Sequence, residues 1–154
     1  MDDISQKAPL GGLARKLIQL GLLKEDAAQH ASDMAIKQKK EFVSYLVGNQ
    51  LVDSTQLAVM CAQEFGIPML DINALDQEVV PKSLINADLV SKHHALPIFR
   101  RGNRLFVAIS DPTNVKALDE IKYQTNINTE AILVEEHKFN AVIDKVLAAH
   151  ETAA

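Results

Sequence analysis

Residues 96–114 read LPIFRRGNRLFVAISDPTN, and this stretch decides how the second half of the chain folds. Two largely apolar runs, residues 96–99 and 104–109, flank a polar segment that contains Gly102 and Asn103. Glycine next to asparagine between two apolar runs is typical of a tight β-hairpin. The SDPTN segment that follows offers turn residues and a helix N-cap, so it predicts a helix over residues 115–125.

The segments around this hairpin complete an α+β pattern. Residues 69–72 are a candidate extended segment, and residues 130–134 are a candidate strand. Pro81 suits the first turn of a helix that continues to residue 90, and apolar residues at helical spacing predict another helix over residues 139–149. The second half is therefore predicted to contain three or four strands and three helices.

The change of pattern after residue 65 predicts two small subdomains. Residues 10–65 carry apolar residues at helical spacing in four short segments, which predicts a helical subdomain of tandem helix pairs. Residues 66–150 form the expected small α+β subdomain with its β-hairpin. Residues 1–9 are predicted to be a flexible N-terminus, and residues 151–154 a frayed tail.

The helical half contains an internal repeat. Leu17 and Gly21 align with Leu46 and Gln50 at an offset of 29 residues, and the apolar positions before and after them also align. A single helix pair cannot bury its own apolar face, so two such units are expected to pack together. Because any two amphipathic helix pairs can be aligned in this way, a chance match stays open at this point.

The composition excludes several classes of function. A net charge of −4, from 16 basic and 20 acidic residues, argues against a nucleic-acid partner. Cys61 is the one cysteine, which excludes an internal disulfide and a site with several cysteine ligands. No apolar run reaches the roughly 18–20 residues that cross a bilayer. The sequence therefore predicts a soluble, cytoplasmic domain.

Nothing in the sequence is typical of an enzyme active site. There is no G-x-x-x-x-G-K-[ST] phosphate loop. His93 and His94 are adjacent, so on a helix they point in different directions; we interpret them as a solvated helix end. The carboxylate pairs at residues 119–120 and 135–136 are interpreted as solvated faces or caps, and Cys61 as a small core residue. We predict no catalytic, cofactor-binding or metal-binding residue in this chain.

The hairpin tip is strongly basic. Arg100, Arg101 and Arg104 surround the turn, and a second basic cluster lies at residues 37–40. Such charge in an acidic chain is either a solvated turn or a docking point for an acidic partner or a phosphate. Both interpretations stay open.

Together these residues resemble a known family. The helical repeat leads into QEFGIP at residues 63–68, and the basic hairpin with its SDPTN segment follows. Over about residues 10–150 the chain resembles the N-terminal domain of the type II secretion and type IV pilus assembly ATPases, most closely the pilus extension motors. The resemblance implies a non-catalytic piece of a longer protein, whose hexameric ATPase core would bind ATP and Mg.

Some members of this family bind cyclic di-GMP through Arg-Leu-Gly-like triplets that open each repeat, with a Gln that closes it. Here the closing positions are Ala35 and Glu64, and both arginines are missing. A charge-assisted contact contributes about 1.5–3 kcal/mol, so we expect no tight binding of this dianionic ligand. A cyclic di-GMP sensor with degenerate repeats stays open as the alternative. The triplet positions are Gly12, Leu13, Ala14, Glu41, Phe42 and Val43.

The resemblance also implies partners. In some of these motors the N-terminal domain contacts a PilZ-type adaptor; the ATPase core and, indirectly, the inner-membrane pilus platform are further partners, so the domain would lie peripheral to that machine. An amphipathic first helix suits docking, because helix-in-groove recognition uses spaced apolar anchors. The alternative is that its leucines pack against the other helices. The candidate partner-binding residues are Leu10, Leu13, Arg15, Lys16, Leu17 and Leu20.

Overall fold

The computed structural model describes residues 9–153, apart from the side chains of residue 77 and residues 150–153. The flexible start expected at residues 1–9 lies, except for residue 9, outside this range. Within the described range the chain forms seven α-helices and three β-strands, which confirms the α+β class. The helices are α1 (Gly12–Gln19), α2 (Glu25–Lys37), α3 (Phe42–Gly48), α4 (Ser54–Phe65), α5 (Ala87–His93), α6 (Val115–Thr125) and α7 (Glu136–Ala153). The strands are β1 (Ala95–Arg101), β2 (Arg104–Ile109) and β3 (Asn128–Leu133).

The chain divides into two compact units, and the division falls between Asp53 and Ser54. The expected boundary after residue 65 differs from this division, because α4 packs with β3 and α7 of the second unit. The frayed tail expected at residues 151–154 also differs: α7 continues to Ala153, and only residue 154 lies outside the described range.

The first unit repeats its backbone geometry. Leu22 N–H donates to the Leu17 carbonyl over 3.0 Å, and Leu51 N–H donates to the Leu46 carbonyl over 2.9 Å. Each bond closes the end of a helix, α1 and α3 respectively, around a residue in the left-handed region. The second helices of the two pairs, α2 and α4, begin 29 residues apart as well. The repeat is therefore a repeat of local structure, and a chance match of apolar positions does not explain it.

The second unit is built on a three-stranded mixed sheet. β2 is central, pairing antiparallel with β1 and parallel with β3. The predicted hairpin is confirmed: Arg101 pairs with Arg104, and Gly102 between them has φ +60°. A positive φ at the first turn position is what glycine supplies without steric cost.

Two predicted elements of this unit differ from the structure. The extended segment expected at residues 69–72 is shorter: Met69 forms a parallel bridge with Leu133 and Leu70 N–H donates to the Leu133 carbonyl (2.9 Å), but Ile72–Ala74 is a 3-10 turn. The helix expected over residues 81–90 is divided into a 3-10 turn, Lys82–Leu84, and α5. Asn86 causes the division, because its side chain accepts a hydrogen bond from Leu89 N–H (3.2 Å) and caps a new helix start.

Both faces of the sheet are covered. Alternate strand residues such as Leu96 and Ala108 pack in one apolar cluster with Phe139 of α7. Their neighbours, among them Leu105 and Val107, pack in a second cluster with α6. This alternation follows the pleat, whose side chains point to opposite faces in turn. The sheet of the second unit therefore lies between α6 and α7.

Candidate functional site

The candidate partner-binding residues of α1 divide into a buried and an accessible set. Leu13 and Leu17 are buried, with 2% and 0% of their surface exposed. These two leucines hold α1 in the fold and are not available as docking anchors. The accessible side of the helix offers a mixed apolar and cationic surface. Arg15 and Lys16 lie on α1, whereas Leu10 precedes it and Leu20 directly follows it; of these four residues, Arg15 and Leu20 are exposed.

The positions that match the dinucleotide triplets lie at two helix N-termini. Gly12 is the first residue of α1, and Phe42 is the first residue of α3, directly after the N-cap residue Glu41. At these positions only Gly12, Glu41 and Phe42 retain accessible surface, and none of them is cationic. The buried members are Leu13, Ala14 and Val43.

The two closing positions of the repeats differ in environment. Ala35 is 3% exposed and belongs to the buried side of α2, whereas Glu64 is exposed near the end of α4. Neither side chain offers the amide that the family pattern has there. The structure therefore presents the repeat scaffold without the polar groups associated with the nucleotide.

At the hairpin tip, two of the three arginines have partners on the tip or on β3. Arg104 pairs with Glu130 of β3, and its guanidinium lies 5.2 Å from the centre of the Phe106 ring. The hydrogen bond from Arg104 holds the pKa of the Glu130 carboxyl below its usual value. Arg100 Nε donates to the Gly102 carbonyl (2.8 Å). Arg101 is exposed and forms no ion pair within the described part of the chain.

A buried polar cluster joins three elements of the second unit. Glu136, the first residue of α7, is 2% exposed. Its Oε1 accepts a hydrogen bond from Ser110 Oγ (2.6 Å) and lies 2.8 Å from His94 Nε2. Its Oε2 accepts from Asn140 Nδ2 (2.8 Å). The carboxylate thus links the end of β2, the end of α5 and the start of α7.

The backbone around His94 positions its ring in this cluster. His94 ends α5 in the left-handed conformation, with φ 51° and ψ 53°, and its ring lies edge-on to Phe139 at 5.1 Å. The neighbouring His93 is 6% exposed, and its Nε2 has no hydrogen-bond partner among the described residues. The interpretation of the histidine pair as a solvated helix end is therefore wrong, because α5 turns both rings toward the protein interior.

The interpretation of Glu136 as a solvated face or cap residue is likewise wrong. Its partners His94 and Ser110 lie 42 and 26 residues away in the chain, so no local spacing reveals the cluster. The one sequence signal is Ser110, a hydroxyl directly after an apolar strand. The arrangement is not a catalytic triad, since Ser110 donates to the carboxylate rather than to an imidazole base. We assign it a structural role.

The thiol of Cys61 is a poor nucleophile in the folded protein. It is fully buried in α4, and burial, with a smaller contribution from the Asp111 charge, raises its pKa to about 12. The thiolate is the nucleophilic form, and this environment suppresses it. The prediction that Cys61 is a core residue is confirmed.

The part of the chain that the structure describes offers neither a metal centre nor a membrane-spanning helix. Among the described side chains, no group of three His, Cys, Asp or Glu residues is placed to hold a metal ion. Nor is any helix there long and apolar enough to cross a membrane.

The sheet and the helices α5, α6 and α7 fall in the segment that defines the family. A family model of the MshEN domain matches residues 65–153, which is more than half of the chain. The chain therefore belongs to the MshEN domain family.

Among curated proteins, the type IV pilus assembly ATPase PilB of Pseudomonas aeruginosa is 44% identical over 137 residues. That match covers 89% of this chain but 24% of PilB, in its N-terminal region. The chain thus spans about a quarter of the length of this relative. The resemblance to the N-terminal domains of pilus and secretion ATPases is confirmed.

Two solved structures share the fold. A structure described as MshE with cdg has a TM-score of 0.61 and 23% identity, and the match covers 88% of this chain and 99% of that chain. A structure of the N-terminal domain of XpsE has a TM-score of 0.64 and 20% identity, covering 86% of this chain and 91% of that one. At such identities these likenesses confirm the fold and carry no statement about ligands.

Proposed function

We propose that the chain is a non-catalytic regulatory and docking domain of a type IV pilus extension ATPase. The observation that carries the proposal is the 44% identity to the N-terminal region of PilB, which extends over nearly the whole chain. The domain works in the cytoplasm, peripheral to the inner-membrane pilus machine. It acts on an ATPase core that binds ATP and Mg, and indirectly on the membrane platform.

The accessible side of α1 is the proposed contact for a PilZ-type adaptor. The buried side chains of Leu13 and Leu17 anchor α1 in the fold, so its accessible residues are held in a fixed position. Arg15 is exposed in the middle of the helix, and Leu20, which is 42% exposed, directly follows its last residue. A cation and an apolar group exposed on the same short helix fit a partner surface that has both an acidic rim and an apolar pocket.

Calorimetric titration of the PilZ-type adaptor tests this contact. We expect Arg15→Glu combined with Leu20→Ser to weaken adaptor binding by about tenfold or more, because both changes remove interface contacts and one reverses a charge. The matched control is Lys122→Glu with Val115→Ser on α6, which likewise reverses one cation and replaces one aliphatic side chain by Ser at exposed positions. Unchanged affinity in the α1 variant, or equal loss in both variants, contradicts the proposal.

A cyclic di-GMP sensor is the second candidate function. The likeness in fold to MshE with cdg favours it, whereas the lack of a cation at the triplet positions opposes it. We expect calorimetry with cyclic di-GMP to show no sub-micromolar binding. Gly12→Arg combined with Glu41→Arg restores the family cations, and a gain of binding there would show that the scaffold is competent. Tight binding by the unaltered chain would favour the sensor over our first proposal.

A further inference from the structure

The second unit contains an apolar groove that the docking role of α1 does not use. It has a volume of about 590 Å³ and runs between α7 and the segment of 3-10 turns that precedes α5. Its floor is the apolar core itself, because four lining residues are buried with at most 8% exposed. These floor residues are Ile72, Val80, Ile85 and Val142.

One wall of the groove is a straight ridge of α7. Val142, Val146 and Ala149 line it at spacings of four and three residues, which places them in one row about 10 Å long. Leu75 lines the other side and is half-buried. A trough beside a helical ridge is the geometry into which a second helix inserts its own side chains.

The rim of the groove is basic although the chain carries a net charge of −4. Lys82 and Lys145 line the groove from its two walls, and both are exposed. Neither ammonium group forms an ion pair with any residue that the structure describes. Among the side chains that the structure describes, the remaining polar lining residue is Asn73, and none of the lining residues is a carboxylate.

We propose that this groove docks the apolar face of an acidic amphipathic helix of a partner protein. The volume is comparable to the roughly 300–1,000 Å³ of small-molecule pockets, which is enough space for a few apolar side chains of a partner. Carboxylates that flank those anchors on either side would meet Lys82 and Lys145. The groove extends the docking role to a second surface, and this inference stands or falls independently of α1.

A display selection with residues 1–154 as bait tests the proposal. The library contains short helices with one fixed leucine stripe, and their flanking positions vary among Glu, Gln and Lys. We expect Glu to be enriched over Lys at the flanks. The selected helix should bind Lys82→Glu/Lys145→Glu about tenfold more weakly, since each exchange turns an attraction into a repulsion. Ala149→Phe, which fills the groove without changing charge, should cause a similar loss.

The matched control is Lys116→Glu/Lys122→Glu on α6, which reverses two exposed charges outside the groove and should bind the helix normally. Far-ultraviolet circular dichroism verifies that all variants are folded.

The proposal is overturned if no helix is enriched, if Lys-rich helices are enriched, or if the groove variants bind the selected helix with unchanged affinity. Saturable binding of cis-parinaric acid that requires the two lysines, without any enriched helix, overturns it in favour of an anionic lipid. The adaptor titration with α1 variants involves neither lysine, so failure of one proposal is distinguishable from failure of the other.

Discussion

A buried carboxylate is tolerated only where hydrogen bonds replace its lost hydration, and Glu136 meets this condition. Each of its two oxygens has a partner, namely Ser110 and His94 on one and Asn140 on the other. Its position as the first residue of α7 adds the favourable field of the helix N-terminus. A single side chain thereby holds together the end of β2, the end of α5 and the start of α7.

We expect Glu136→Ala to destabilise the protein by about 2–4 kcal/mol, because it leaves the buried hydroxyl of Ser110 and the His94 ring without their acceptor. Urea unfolding followed by circular dichroism measures the loss. Asp144→Ala, an exposed carboxylate on the same helix, is the control and should change the stability by less than about 0.5 kcal/mol. Equal effects of the two substitutions would contradict the structural role of the cluster.

The raised pKa of Cys61 predicts slow alkylation of the folded protein. At about pH 8.5 a thiol with a pKa of about 12 is ionised far less than the unfolded thiol with its pKa of 9.0. Iodoacetamide labelling followed by mass spectrometry should therefore be slower by at least about a hundredfold in the folded chain than in urea. As pH rises toward the folded pKa, the thiolate fraction and the labelling rate should increase. Fast labelling of the folded protein near pH 8.5 would show that the thiol is accessible and ionised.

At the scale of elements, the corners that follow α1 and α3 have the same backbone conformation although their sequences differ. The first corner has Gly21 at φ +74°, and the second has Gln50 at φ +59°. A residue with a Cβ is strained in this region by about 1 kcal/mol, whereas glycine is not. The second corner is therefore formed against a local preference, and its hydrogen bond to the end of α3 helps to maintain it.

Gln50→Gly should stabilise the first unit by about 0.5–1 kcal/mol, because glycine adopts the left-handed corner without strain. The reciprocal change Gly21→Gln should destabilise it by a similar amount. Native-state hydrogen exchange of the α1 and α3 amides measures both effects within this unit. A loss of protection in Gln50→Gly would mean that the glutamine side chain contributes more than its strained backbone costs.

Elements with strong local signals could be predicted from the sequence. The hairpin is specified by Gly102 and by the apolar runs on both sides of it, all within a few residues. The helix expected from Pro81 to residue 90 could not be placed correctly, since the capping bond of Asn86 competes with continuous helical spacing. The Glu136 cluster escaped prediction for a different reason: tertiary structure alone brings its members together from distant parts of the chain.

At the scale of the whole chain, α4 belongs to one part of the molecule by its sequence and to another by its contacts. Its sequence belongs to the helical repeat, while its contacts belong to the second unit. Ser54 Oγ accepts a hydrogen bond from His137 N–H (3.1 Å), and so satisfies one of the unpaired amides at the start of α7. Thr55 Oγ1 donates to Glu135 Oε1 (2.9 Å) beside it. The first two residues of α4 therefore supply hydrogen-bond partners to the start of α7.

This arrangement predicts how fragments of the chain behave. Residues 54–154 should fold alone and unfold cooperatively on heating, because both apolar clusters of the sheet lie within them. Residues 66–154 lack α4 and should melt at least about 5 °C lower, since the N-terminus of α7 loses its partners and the surface under α4 is exposed. Ser54→Ala with Thr55→Ala in the longer fragment separates the hydrogen bonds from the packing, and should lower the melting temperature by less than the deletion. Equal melting temperatures for the two fragments would place the boundary after residue 65, where the change of sequence pattern alone locates it.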